Sequence, residues 1–439
     1  LVNPSLFFTF IVNKKVMLYW LIEEIDQLEE FLNRYYNEVF VEIIPYSNTI
    51  HPTRNDICAI YIRPLNSHKG FIIPLSHSEA LSIDINEVER VLNTFKKIYV
   101  RDKKEFMHYF LLNALYDLTL TLPPYIQEYT PTHSFFYSKY PNKKDINRII
   151  PIVKHYEYCE KTFNDLKHKA DEPINDFYNN HATIVFNAVE RSGIHIDKER
   201  FKQSFHDIDS DFVFTQYNFK TLTTRPSNKF NGINYAALNK ENGDRQCFIP
   251  RNSTYLELDI SAYHPTLLAS LVGYDFGDRD IHASFAEMYG VDYNKAKEIT
   301  FKQMYGGIWE QYRHLDFFKK VIAYTDNLWD TFQYDGYIEC PISGHKFYRD
   351  KLEDMNPQKL LNYVLQNLET ANNVNILWDI FKILRGKNTK LVLYTYDAFL
   401  FDYDKDEKDI MKQIIKTFEK NKLHIKAKHG DSYDFREKQ

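Results

Sequence analysis

Thr254-Tyr255-Leu256-Glu257-Leu258-Asp259-Ile260-Ser261-Ala262-Tyr263-His264-Pro265 is the stretch on which the reading of this chain turns. Tyr255, Glu257 and Asp259 alternate with Leu256, Leu258 and Ile260, the period of two of a half-buried strand whose last outward group is a carboxylate. Pro is tolerated in a first helical turn, so a helix is expected from His264 through Leu271. Far downstream, residues 390–394 and 399–403 read as two strands joined across Thr395-Tyr396-Asp397-Ala398, which puts Asp397 at a hairpin turn. Either Asp alone is ordinary turn chemistry. The segment between them changes the weight. Asp292 reads as a helix N-cap, Lys297, Phe301 and Tyr305 recur every fourth position on one face, and Gly306-Gly307 ends the run.

The composition excludes several classes. A chain of 439 residues with 44% hydrophobic and 26% charged residues, only 13 Gly and 16 Pro, is neither disordered nor fibrous and is long enough for two to four domains. The 33 Phe and 33 Tyr, beside abundant Asn, Ile and Lys, read as the mark of an AT-rich genome rather than as a stacking platform. A net charge of −5 argues against a surface coated in basic residues. Cations nevertheless gather near the motifs: Lys220, Arg225, Lys229, Lys240, Arg245 and Arg251 before residue 254, then Lys295, Lys297 and Lys302. Cys58, Cys159, Cys247 and Cys340 are too scattered for a zinc knuckle or a disulfide framework, which fits a reducing compartment. A cytoplasmic location, in a bacterial or virus-infected host cell, is therefore expected. The apolar run 6–12 is too short to span a membrane and lacks a preceding basic residue, so neither a secretion signal nor a membrane partner is expected. Residues 1–16 read equally as translated upstream sequence or as an ordinary N-terminal strand.

Along the chain, residues 18–36 carry apolar positions at helical spacing (Leu21, Ile25, Leu28, Phe31, Leu32). Residues 39–44, 57–62 and 70–74 then read as strands, with helices expected over 86–97 and 103–121. A Pro-bearing polar connection, 122–144, precedes a helical region starting near Ile146. The helix within 178–201 is expected to end at Gly193 in the left-handed conformation.

The order of these motifs resembles family A DNA polymerases over most of residues 180–435. Leu256-Glu257-Leu258-Asp259-Ile260-Ser261 is similar to motif A of that family, and Asp280-Ile281-His282 to the tripeptide before its fingers helix. Lys297, Phe301, Tyr305 and Gly306 match motif B, Asn362 and Gln366 its Asn-x3-Gln minor-groove readers, and Asp397 the Asp of motif C. Upstream, Thr223-Thr224-Arg225-Pro226-Ser227-Asn228 and Glu190-Arg191-Ser192-Gly193-Ile194-His195-Ile196-Asp197 resemble the segments that open the polymerase region. Single matches arise by chance; a colinear set does not.

The resemblance implies an α+β right-hand fold and a DNA-directed DNA polymerase that works by two-metal nucleotidyl transfer on primer–template DNA and dNTPs. Asp259, Asp397 and the Ile260 carbonyl would hold two Mg2+ ions, for which Mn2+ can substitute. Lys297 would hold the phosphates and assist proton transfer. Ser261, His264, His282, Phe301 and Tyr305 would complete the nucleotide site, with Lys302 either assisting or solvated. Arg225, Asn228, Tyr305, Gly306, Asn362, Gln366 and Tyr396 would contact DNA. The implied layout is an exonuclease-like RNase H-type domain over 17–175, a reduced thumb and start of palm over 176–253, palm over 254–280 and 346–439, and fingers over 281–345.

Several positions depart from the family pattern. His264 stands where a Glu normally excludes ribose, Tyr396-Asp397-Ala398 replaces His-Asp-Glu, and Tyr293 replaces an Arg whose charge Lys295 is expected to supply. The short interval between Asp197 and Thr223 leaves no room for a long helical clamp, so low processivity, or a processivity partner in its place, is expected. In the N-terminal region Glu42-Ile43-Ile44 replaces Asp-x-Glu, Asp102-Lys103-Lys104-Glu105-Phe106-Met107 replaces the second exonuclease motif, and the third survives as Tyr156-x3-Glu160. An inactive scaffold domain without proofreading follows. The competing readings are a primase-like or ribonucleotide-tolerant polymerase, a non-catalytic nucleic-acid-binding relic, and a nuclease using the N-terminal domain.

Overall fold

The computed structural model describes residues 7–12, 15–24, 26, 29, 37–47, 49–121, 146–277 and 279–435, and the chain divides into two compact units, 1–187 and 188–439. The first is built on a seven-stranded sheet of β1 (Phe7–Val12), β2 (Lys15–Leu21), β3 (Glu38–Pro45), β4 (Ile57–Pro64), β5 (Phe71–Pro74), β6 (Lys97–Val100) and β7 (Leu115–Asp117), in the order β1-β2-β5-β4-β3-β6-β7. β3 and β4 are almost wholly apolar because both faces of the sheet are covered. Val39, Val41 and Ile43 join Val88, Val91 and Leu92 of the Ile85–Leu92 helix in one core. Phe40 and Ile44 join Tyr156, Cys159 and Phe163 of the Ile152–Leu166 helix in the other.

Two expectations in this unit are corrected. The helix expected over 86–97 stops at Leu92, and Lys97–Val100 is a strand parallel to β3. The helix expected over 103–121 is one turn, Lys103–Phe106, followed by strand Leu115–Asp117. Short apolar runs carry no decisive period, and here the β-branched Ile98 and Val100 complete the sheet. Lys15–Leu21 is likewise a strand where a helix was expected from 18, while most of 25–36, and the connection 122–144, lie outside the described residues. No helix among the described residues is long and apolar enough to cross a membrane.

The second unit contains a four-stranded antiparallel sheet ordered Lys390–Thr395, Ala398–Tyr403, Thr254–Ile260, Ile425–Gly430. Around it lie the helices Tyr263–Leu271, Ile281–Tyr289, Tyr293–Gly306, Asp316–Asp335, Pro357–Leu384 and Lys408–Lys420. The expected half-buried central strand is covered on both faces: on one, Tyr255 packs in a cluster with Phe248, Leu400 and Tyr433 and Glu257 is buried against Lys428 at 3.2 Å, and on the other Leu258 is fully buried. Only toward Asp259 does the strand open. The helix Thr183–Ser192 ends as expected at Gly193, where φ is +66° and a Cβ would approach Phe214 Cε1 to 2.9 Å. Between Asp197 and Thr223 the chain forms only the short helix Lys198–Ser204 and the two-residue strands Phe212–Val213 and Tyr217–Asn218.

Candidate active site

The ladder register brings the two motif carboxylates together. Asp259 stands opposite Ala398, and the Ile260 amide donates to the Asp397 carbonyl at 2.8 Å, so two strand ends are clamped side by side. Tyr396 and Asp397 form a two-residue turn with Tyr396 at φ +59°, a strained conformation for a bulky residue. It is held from both sides: Asn373 Nδ2 donates to the Tyr396 carbonyl at 2.7 Å, and the Arg225 guanidinium lies 3.8 Å over the Tyr396 ring. The turn thereby projects Asp397 into solvent.

Electrostatically the pair is short of positive charge. Asp397 is open to solvent on one side and crowded by protein on the others; that crowding, then the neighbouring Asp259 charge, pushes its carboxyl up to about 6. The nearest cation to Asp259 is Lys428, at 4.0 Å and already engaged by Glu257. Two carboxylates that repel each other and offer hard oxygens fit divalent cations of the Mg2+ or Mn2+ type. Ser261, next in line, is anchored through its amide to the His424 carbonyl at 2.8 Å.

The helix opposite is capped as its sequence predicts, Asp292 accepting from the Lys295 amide at 3.0 Å, and Gly307 leaves it at φ +100°. Lys297 is exposed, and Phe301 and Tyr305, 45% and 39% exposed, stack at 5.9 Å with rings 22° apart. The two rings form an exposed aromatic pair on one face of the helix. Lys295 and Lys302 do not share this face, since both are paired to Glu298, at 2.9 and 2.5 Å. Lys295 therefore does not supply the charge expected of it.

Tyr305 is tied to the strand-end motif. Its hydroxyl meets His264 Nδ1 at 2.7 Å, and His264 Nε2 meets Glu369 Oε2 at 2.8 Å. With Nε2–H donating to the carboxylate, Nδ1 is left to accept from the phenol, so both ring nitrogens are used. Burial, then Glu369, pushes the Tyr305 phenol up to about 12, keeping its proton in place. Glu369 also faces Arg225, at 3.4 Å.

Glu369 belongs to a polar stripe on the long helix Pro357–Leu384. Asn362, Gln366, Glu369 and Asn373 follow at four, seven and eleven positions, one helix face. Asn362 Nδ2 donates to the Tyr305 carbonyl at 3.3 Å, Gln366 Oε1 accepts from Thr223 Oγ1 at 3.0 Å, and Asn373 reaches Tyr394, Tyr396 and Tyr263. The Asn362 side-chain oxygen is without a protein partner. Sequence reasoning found Asn362 and Gln366 but missed Glu369 and Asn373, although the spacing of the stripe was there to be counted.

Of the remaining predicted residues, the structure gathers Arg225, Tyr396, Gly306 and His282 around the same strand ends and helix. Asn228 stays apart: it is 3% exposed, and its amide is spent on the Tyr394 carbonyl at 3.1 Å and the Ala236 amide at 3.2 Å. Its role is to hold the Ser227–Phe230 strand against the turn strand. A Cβ at Gly306 would meet nothing within 4 Å, so open space lies in front of it.

The N-terminal motif residues are arranged otherwise. Glu42, 3% exposed on β3, receives Arg101 Nε at 3.3 Å on both oxygens and Arg101 Nη2 at 3.2 Å, while Nη2 also meets Glu105 at 3.0 Å. Burial pushes Glu42 up to about 7 against the pull of Arg101. Glu160 is held by the Tyr61 hydroxyl at 2.5 Å and Arg63 at 3.5 Å.

No family model matches the chain, and no curated protein does. Among solved structures it is similar to the POL domain of Pol1 from M. smegmatis in complex with DNA primer-template and dNTP, with a TM-score of 0.65 and 13% identity over 93% of this chain and 97% of that one. The fold is that of a DNA polymerase domain. The likeness extends through both compact units, since it leaves so little of the chain uncovered.

Proposed function

We propose that the chain is a DNA-directed DNA polymerase of the family A type, extending a primer 3′-hydroxyl with dNTPs. The observation that carries this reading is the clamped pair Asp259 and Asp397, met by no close ion pair of its own, with Asp397 within electrostatic reach of Tyr305. In this reading the four-stranded sheet is the palm, the helices of 281–345 are the fingers, and 176–253 holds a reduced thumb.

Asp259, Asp397 and the Ile260 carbonyl would hold Mg2+ or Mn2+, which would lower the pKa of the primer 3′-hydroxyl and offset the charge of the triphosphate. The chain's own residues do the rest. Lys297 holds the phosphates as a point charge and donates a proton toward the leaving pyrophosphate. Phe301 stacks on the incoming base and Tyr305 closes over the templating pair. Arg225, Asn362 and Gln366 meet the minor groove, whose shared acceptors permit a grip independent of sequence.

The His264 hydrogen bonds favour dNTPs over the ribonucleotide reading. With Nε2 on Glu369 and Nδ1 on Tyr305, the imidazole has no donor to offer a 2′-hydroxyl and stands there as a wall. The thumb interval, with one two-turn helix, supports low processivity. The saturated Glu42 cluster supports an N-terminal unit without proofreading activity.

The test is extension of a labelled primer on a template with Mg2+ and either dNTPs or rNTPs. Extension with dNTPs that is lost in Asp259→Asn and Asp397→Asn is expected. Failure with both nucleotide types would leave the binding-only reading standing.

A further inference from the structure

The edge strand Ile425–Gly430 carries a lysine that no motif predicted. Lys426 pairs directly with Asp259 in the ladder, and directly paired residues project from the same face of a sheet. From there it reaches away from the sheet toward the helix bearing Lys297: its Nζ lies 3.5 Å from the Tyr293 hydroxyl and 5.9 Å from that ring's centre. The Tyr293 ring also meets His282 edge-on at 5.8 Å. Lys426, Lys297 and His282 thus converge on one spot from a strand and two helices. Lys297 and Lys426 both act on His282, adding to the burial that holds its pKa down.

Like charges are not gathered without cause. Among the described residues neither Lys297 nor Lys426 has an ion-pair partner. Of the carboxylates nearby, Asp259 adjoins Lys426 in the ladder, and Asp280 caps the Ile281–Tyr289 helix through the Ala283 amide at 2.9 Å and accepts from the Tyr293 hydroxyl at 3.4 Å. His282 is only 5% exposed, yet its Nδ1 has no hydrogen-bond partner. A buried imidazole nitrogen left unpaired costs stability unless a ligand meets it. The cluster lies beside the Asp259 end of the sheet, so its ligand is an anion adjoining the carboxylate pair.

We propose that Lys426 is a phosphate-binding residue which, with His282 and Lys297, holds the triphosphate of the incoming nucleotide from the sheet side. This rests on the polymerase reading for the identity of the nucleotide. The cation is delivered by the edge strand of the sheet, across from the helix, where Tyr293 meets the lysine ammonium.

The test has two arms on the full chain. In the first, binding of inorganic tripolyphosphate is titrated by intrinsic fluorescence for the wild type, Lys426→Ala, Lys426→Arg and, as a control on the outer helix face, Lys295→Ala. A charge-assisted contact predicts about tenfold weaker binding in Lys426→Ala, most of it regained in Lys426→Arg, and no change in Lys295→Ala. In the second arm, single-nucleotide incorporation should show the dNTP KM raised by about the same factor in Lys426→Ala, with primer–template affinity unchanged. Thermal melts check that the variants fold, as substitution of an exposed lysine should allow. Equal tripolyphosphate affinity in wild type and Lys426→Ala overturns the proposal, as does a loss of primer–template affinity matching the rise in KM. A wild type that binds tripolyphosphate through Lys426 but extends no primer would sink the polymerase reading and leave the anion site.

Discussion

Glu42 in the first unit and Asp397 in the second are both carboxyls raised above their ordinary range, and they have met opposite fates. Glu42 is sealed in the sheet with a guanidinium that satisfies it on both oxygens and bridges onward to Glu105. Asp397 stands at a turn beside a second carboxylate, with its nearest aromatic and cationic neighbours, Tyr396 and Arg225, engaged with each other. A buried carboxylate that has its own arginine has no use for a metal ion; an open pair that repels itself does. In the proposed reading, one chain closes one carboxylate site and keeps another for a cation.

The sharpest way to break this comparison is to remove the open pair. Asp397→Asn or Asp259→Asn should lower primer extension about a thousandfold or more while the melting transition is retained, since the charge serves catalysis and opposes folding. Retained extension in either variant would show that the pair is not the metal site. In the sealed site the effect should fall on stability instead. Arg101→Met leaves Glu42 buried without its partner and should destabilise the protein by about 3 kcal/mol in denaturant unfolding, without lowering the turnover of molecules that remain folded. An equal loss of turnover would end the claim that this unit is a scaffold.

Gln at Glu369 tests the link between the two ring nitrogens of His264 and sugar choice. It offers Nε2–H a neutral and weaker acceptor, loosening the imidazole, and should raise rNTP incorporation relative to dNTP by about tenfold in competition assays. Finally, protonation opposes cation binding at Asp397. Its carboxyl, pushed up to about 6, must lose a proton to bind Mg2+, so affinity should fall as pH drops below about 6 and level off above it. Calorimetry in buffers of different ionisation enthalpy should detect a released proton near pH 6 that disappears in Asp397→Asn and persists in Glu42→Gln. A pH-independent affinity would contradict the crowded environment assigned to Asp397.

Legibility in the sequence differed by the range over which each feature is decided. The strand ending in Asp259, the hairpin at Asp397 and the capped helix carrying Lys297, Phe301 and Tyr305 are local periodicities, and they stand where they were expected. Lys97–Val100 differs from the helix expected there because its three apolar residues, Ile98, Tyr99 and Val100, are too few to show a period; its pairing with β3 decided it. Asn228 looked like a DNA contact from its place beside Arg225, yet only the packed fold shows its amide spent on the Tyr394 carbonyl and the Ala236 amide. Lys295 looked like the missing cation, but a helix places it beside Glu298 and away from Lys297.

By itself, then, the sequence determined the strands and the helix that carry the candidate site and that two strand ends would each present a carboxylate, because alternation and helical spacing are properties of neighbouring residues. The tertiary structure alone decided what those carboxylates and their surroundings can do. Ladder register set Asp259 against Asp397 and Lys426, and long-range packing brought Glu369 to His264 and Arg101 to Glu42. Charge compensation acts through space between residues far apart in the chain, and no local pattern records it.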